Sequence, residues 1–374
     1  MNIACCIFKY FEFGGLQIDF SNIVRELVRR KHHVRIYTKE WQGLVINNTE
    51  LSIIRCSGFT NCREDEEFTS KVLKDIKKRP VDIIIGFNKM PGLDVYYAGD
   101  VCYKERIKRK YLGFIQKLTP RYRHHIRYEQ AIFESSSKTL IVALNQHSIN
   151  SYIRNYGTDI RRFYLLAPNV VAVNNTTINK NFNPSVEKKK FGIPDDKVVL
   201  LQVATNFRLK GLYRTFNAIA SLREDLRKKV KLVIVGDGNK EEALNLGRSL
   251  KIEQNLIFIG SSTEVNNIMR ISDIFLHPAE YDSAGKVILE ALFASLPSIV
   301  TDTCGYACYV KQASSGIVLK SPFNQKELNN TLTLYLTNDA LISKLKNNAF
   351  LFSSNFKYKE YYADFSEFIE KIRK

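Results

Sequence analysis

Short, strand-sized apolar runs alternate with helix-length amphipathic segments along almost the whole chain, and no other feature restricts the possible folds as much. A strand buried on both faces reads as a continuous apolar run, and returning parallel to the same sheet needs a crossover of helical length. In the first half the runs are Ile3 to Phe8, Val34 to Thr38, Leu51 to Arg55, Asp82 to Gly86, Thr139 to Leu144 and Phe163 to Ala167. In the second they are Val198 to Ala204, Lys231 to Val235, Leu256 to Ile259, Ile274 to His277, Ser298 to Thr301 and Gly316 to Leu319. This is the pattern of an α/β fold, with parallel sheets covered by helices on both faces. At 374 residues the chain is comfortable for two cores. The interval Asn174 to Lys190, rich in Asn, Thr and Lys with Pro184 inside, has a linker's composition. Two tandem Rossmann-like domains are expected, 1–170 and 171–354. Residues 355–374 carry Tyr358, Tyr361, Tyr362, Phe365, Phe368 and Ile369 at helical spacing, predicting an amphipathic helix that packs back on the first domain.

No apolar run approaches the roughly 18 residues of a spanning helix. The N-terminal Met-Asn-Ile-Ala-Cys-Cys-Ile-Phe lacks the basic segment and long apolar stretch of a signal peptide, so a cytoplasmic chain is expected. Seven cysteines without C-x-x-C spacing point neither to a disulfide framework nor to a zinc site; no metal or cofactor is expected. A formal net charge of +18 calls for an anionic partner. Much of the excess lies between residues 104 and 127, where Lys104, Arg106, Lys108, Arg109, Lys110, Lys117, Arg121, Arg123 and Arg127 face a single carboxylate, Glu105. Ile107, Tyr111, Leu112, Ile115, Leu118, Tyr122 and Ile126 are interleaved at helical spacing, with Thr119-Pro120 as a break and restart. A basic amphipathic helix suits anionic lipids at a membrane surface. A solvated helix packed on its own domain is the plainer alternative, and no base-stacking module accompanies the charge to suggest nucleic acid.

The densest cluster of chemistry runs from His277 through Asp282, Ser283, Ala284, Gly285, Lys286 and Val287 to Glu290. A strand ends at His277 and a helix begins near Ala284 and Gly285. Its free N–H groups and positive dipole end suit a diphosphate. Gly14 and Gly15, directly after the first strand and followed by Asp19, permit a tight turn and close approach of a phosphate or sugar, or serve as a structural turn.

Asp282 and Glu290, with seven residues between them, resemble the E-x7-E signature of retaining glycosyltransferases of family 4, which have the GT-B fold; aspartate stands for the first glutamate. The resemblance implies that Glu290 grips the ribose of a nucleotide sugar and that Asp282 contacts the donor sugar. Arg208-Leu-Lys210-Gly211 resembles the family's R-K-G element, whose two cations neutralise the departing diphosphate; Leu209 stands where an arginine is usual. Read without the resemblance, these are a capping Asp, a helical Glu and surface cations. Over the full length the chain looks like the lipopolysaccharide core glucosyltransferases of type I, on Lys9-Tyr-Phe-x-Phe-Gly-Gly-Leu-Gln17, Gly86-Phe-Asn-Lys-Met-Pro-Gly-Leu-Asp-Val-Tyr96, Gly99-Asp-Val-Cys-Tyr103, Arg121-Tyr-Arg-His124 and Cys304-Gly-Tyr-Ala307. It implies metal-independent, retaining transfer of glucose from a UDP-sugar to a heptose of the lipopolysaccharide core at the cytoplasmic face of the inner membrane. Asp100 then matches an acidic residue on the acceptor side, a catalytic candidate for activating or binding the acceptor hydroxyl, with helix capping as its plainer role. A membrane-associated protein that binds a nucleotide sugar without transferring it, a family 4 enzyme with another donor or acceptor, and a GT-B epimerase are the alternatives.

Overall fold

A computed structural model describes residues 1–12, 14–108, 113–168, 182–356 and 360–372. The chain divides into two compact units, Met1–Pro168 with Lys359–Lys374, and Asn169–Tyr358. In chain order the strands of the first unit are β1 (Asn2–Cys6), β2 (Lys9–Tyr10), β3 (His33–Thr38), β4 (Glu40–Trp41), β5 (Thr49–Ile53), β6 (Ile83–Gly86), β7 (Val95–Ala98), β8 (Leu140–Ala143) and β9 (Phe163–Leu165). Seven of them form a parallel sheet in the order β5-β3-β1-β6-β7-β8-β9; β2 and β4 pair separately. Strand β7 was not among the expected runs: only four residues long, it sits between Asp94 and Gly99, and its two tyrosines, Tyr96 and Tyr97, are fully buried.

The second unit has β10 (Val198–Val203), β11 (Val230–Val235), β12 (Leu256–Gly260), β13 (Ile274–His277), β14 (Ser298–Thr301) and β15 (Gly316–Leu319), parallel in the order β12-β11-β10-β13-β14-β15. Because side chains alternate along a strand, this sheet feeds two cores. Leu200, Leu232 and Ile234 join one, and Val199, Leu201, Val233 and Val235 the other. In each sheet the strand order reverses once, between β1 and β6 and between β10 and β13. Loops leaving the carboxyl ends of such a pair diverge and leave room for a ligand.

The last helix spans Tyr361–Lys371, shorter than the 355–374 expected, because Asn355 still belongs to the helix Asp339–Asn355; Tyr358 lies outside the described residues. It packs on the helix Gly15–Arg29, with Glu370 placed 2.9 Å from His32 Nε2 and 3.0 Å from Arg30 Nη1. All seven cysteines are free. Among the described residues no helix is long and apolar enough to cross a membrane.

Candidate functional site

In the second unit, the loops leaving β10 and β13 are knitted together by backbone contacts. Asn206, at φ 63°, holds the first loop by accepting from the N–H groups of Leu209 and Lys210, and Gln202 Nε2 donates to the Lys210 carbonyl at 2.8 Å. The Glu280 N–H donates to Leu209 O at 2.9 Å, and Arg214 Nη1 to Pro278 O at 3.0 Å. Gly211 makes the approach possible: at φ 76°, any Cβ there would stand 2.0 Å from the Pro278 carbonyl oxygen.

The knitting brings Lys210 Nζ to 2.6 Å from Asp282 Oδ2, and His277 Nε2, from the end of β13, lies 3.0 Å from the same oxygen. Burial alone raises the pKa of Asp282, but the His277 hydrogen bond and the Lys210 charge more than reverse it, holding the carboxyl well below the usual range. Three residues on, Gly285 at φ 74° is the N-cap of the helix Lys286–Phe293 and supplies no side-chain cap. The first turn therefore presents main-chain N–H groups in the manner of an anion seat. Ala284 is buried, its carbonyl taken by the Tyr306 N–H at 2.7 Å. Ser283 adjoins it in the same loop, and Val287 follows Lys286 in the first turn. Glu290, inside the helix, has its pKa pushed up by burial while the Lys286 charge pulls the other way. Asp282, Lys210, Gly285, Lys286 and Glu290 thus gather at one end of the unit.

Arg208 is placed apart from them. Its side chain is 71% exposed, 2.5 Å from Glu242, with its guanidinium over the Tyr213 ring.

In the first unit, Gly14 caps the helix Gly15–Arg29, and at Gly15 a Cβ would meet nothing within 4 Å, leaving open space at the helix start. Asp19, one turn on, faces inward: it is 2% exposed and accepts from Tyr97 Oη at 2.6 Å and from Tyr362 Oη at 3.4 Å. Asp100, beyond β7, is partly exposed, accepts from Tyr96 Oη at 3.2 Å and lies 3.7 Å from Lys89 Nζ. Lys89 in turn is 2.7 Å from Glu129 Oε1, a carboxylate with no exposure that also takes the Tyr103 and Lys104 N–H groups and Tyr156 Oη. Neither Lys89 nor Glu129 stood out as a site residue in sequence, and neither did the imidazole of His277.

The basic segment is split. Lys104 and Lys108 bond Asn155, Arg106 lies over the Tyr103 ring, and Arg127 pairs with Glu66; Arg109 and Lys110 are outside the described residues. Lys117, Arg121 and Arg123 are exposed, and Phe114, Ile115 and Leu118 beside them are 65, 49 and 79% exposed. Among the described residues no group of three His, Cys, Asp or Glu side chains is placed to hold a metal ion.

Residues 185–352 match the family model of the glycosyl transferases of group 1. Over 349 residues, 93% of each chain, the sequence is 38% identical to the lipopolysaccharide glucosyltransferase WaaG of Escherichia coli K12. The chain belongs to the lipopolysaccharide glucosyltransferases. It superimposes on a crystal structure of WaaG, a glycosyltransferase involved in lipopolysaccharide biosynthesis, with a TM-score of 0.90 at 36% identity over 98% of this chain and 99% of that one. The fold of this glycosyltransferase is therefore GT-B. HepE of Anabaena, crystallised with UDP and glucose, shares that fold alone, at 16% identity and a TM-score of 0.71 over 100% and 99% of the chains.

Proposed function

We propose that this glycosyltransferase moves a hexose, most simply glucose, from a UDP-sugar to a heptose of the lipopolysaccharide inner core, with retention of configuration and without a metal. The observation that carries the donor assignment is the Lys210 ammonium held beside an uncapped helix start, with Glu290 further along the same helix. In the transfer, the bond from the anomeric carbon to the diphosphate oxygen breaks, a new bond forms to an acceptor hydroxyl oxygen, and the hydroxyl proton passes to the departing diphosphate oxygen. The charge left on the diphosphate is met by Lys210 and the N–H groups of residues 285–287, which are preorganised and cost no rearrangement. Glu290 accepts from the ribose hydroxyls. In the first unit, Asp100 activates or binds the acceptor hydroxyl. WaaG's name supports glucose and lipopolysaccharide as substrate classes.

The test is a screen of nucleotide sugars with truncated core lipopolysaccharide in excess chelator, with mass and anomeric analysis of the product; Asp100→Asn turnover and acceptor affinity are read in the same assay. No product with any UDP-hexose would sink the proposal. For the donor site, Glu290→Ala is expected to raise the Kd for UDP about tenfold to hundredfold, the scale of losing hydrogen bonds to a charged acceptor. Titration calorimetry giving an unchanged Kd would remove Glu290 from the site.

The enzyme works on this reading at the cytoplasmic membrane face, docked through Phe114, Ile115 and Leu118 with Lys117, Arg121 and Arg123 around them. Each cation near an anionic surface contributes about 1 kcal/mol. Reversing Lys117, Arg121 and Arg123 together to glutamate is expected to weaken sedimentation with phosphatidylglycerol vesicles on the order of 100-fold. Binding indifferent to anionic lipid content would count against the membrane role.

A further inference from the structure

The histidine that ends β13 has no part in the donor assignment, yet its placement is specific. His277 is 1% exposed, and its Nε2 meets the same Asp282 oxygen that takes Lys210. The backbone of Asp282 is pinned on both sides, its N–H donating to Thr303 O at 3.2 Å and its carbonyl accepting from Gly305 N at 3.0 Å. What freedom remains lies in the side-chain torsions of the carboxylate, and His277 removes it. A carboxylate tied back in this way draws the Lys210 ammonium to one place. That place adjoins the helix start, because a Cβ on Gly285 would stand 3.7 Å from Asp282 Cγ.

Resting on the donor-site reading, we propose that His277 is a positioning residue for the transfer: it clamps Asp282 so that Lys210 is held at the start of the helix Lys286–Phe293, and in its protonated form it leaves the three-group cluster with a net positive charge for the diphosphate. With a neutral imidazole, Asp282 would cancel Lys210 before the donor arrived. With an imidazolium, one positive charge remains for the diphosphate. The titratable groups facing the ring are Asp282 and Cys304, with Lys210 across the carboxylate. Burial alone lowers the imidazole's proton affinity; the Asp282 hydrogen bond and Cys304 outweigh it and raise the pKa from 6.5 to about 9. The charged form is therefore kept at neutral pH and lost as pH rises through about 9.

The experiment is kcat against pH for the parent enzyme, His277→Gln and His277→Ala, with UDP-sugar and truncated lipopolysaccharide. Glutamine keeps an N–H donor of similar reach and discards the charge. The parent rate is expected to fall as pH rises through about 9. At neutral pH, His277→Gln is expected to lose about tenfold and His277→Ala about a hundredfold, and in both the alkaline decline near pH 9 disappears. If the alanine variant fails to fold, the glutamine variant decides through its pH profile. Parental rates with an unchanged alkaline limb, or equal losses in the two variants with that limb retained, overturn the clamp. If Glu290→Ala still weakens UDP binding when the clamp fails, the donor site stands without it; if UDP binding is also unchanged, the donor site itself has failed.

Discussion

Replacing Lys210 with alanine is expected to lower kcat by about 10²- to 10³-fold, the scale of removing one preorganised donor from a site where negative charge develops. The Lys210 side chain is 18% exposed and its ammonium is held 2.6 Å from Asp282, so its position is set before any ligand arrives. Its loss also leaves Asp282 with the His277 imidazole, 3.0 Å away, beside it. That carboxylate is held well below the usual range in part by the Lys210 charge, so the variant also loses some stability above the ordinary carboxylate pKa. The two effects separate experimentally: the transfer rate reports the first, and thermal unfolding of the same preparation reports the second. A rate within threefold of the parent would show that Lys210 does not meet the diphosphate.

The largest effect on stability is expected at Glu129. Replacing one member of a buried ion pair strands the other charge, at a cost of about 3–5 kcal/mol. Glu129 has no exposed surface, and Lys89 at 2.7 Å would be left with Asp100 at 3.7 Å. The same substitution deprives two main-chain donors of an acceptor, since the carboxylate receives the first N–H groups of the short helix Tyr103–Lys108. Burial alone raises the pKa of Glu129, but the Lys89 charge and the hydrogen bonds from Lys89, Tyr156 and the Tyr103 N–H overturn it and hold the pKa below its ordinary value. Its contribution is therefore present above about pH 4.5 and is lost as pH falls through the folded-state value. The chain has a single tryptophan, Trp41, which lies in the first unit and stacks on Tyr10 at 3.9 Å, so its fluorescence during urea unfolding follows this unit. A shift under about 1 kcal/mol in Glu129→Ala would mean that the pair is dispensable.

The α/β class was legible because strand and helix periods are local: whether a side chain points to one face or the other depends on a few neighbouring residues. The same holds for the restart at Thr119-Pro120, where Thr119 accepts the Tyr122 N–H and proline occupies the first helical turn. The helix that carries Glu290 was legible for that reason too, whereas pairing Asp282 with Glu290 as a site came only from the family resemblance. Strand β7 was not legible, because four residues with two tyrosines carry almost no period.

The sequence by itself determined the alternation of elements, the helix start at Gly285 and the chemistry available around it. Tertiary structure alone decided which charge meets which. Lys210 reaches Asp282 because β10 and β13 are neighbours in the sheet, while Arg208, two residues away, is drawn to Glu242 on another helix. Asp19 turns inward because the last helix brings Tyr362 to it, and Glu129 is buried because Lys89 and the start of the next helix converge on it. Charge pairing acts through space over a few ångströms, and strand order and helix packing set those distances between residues far apart along the chain.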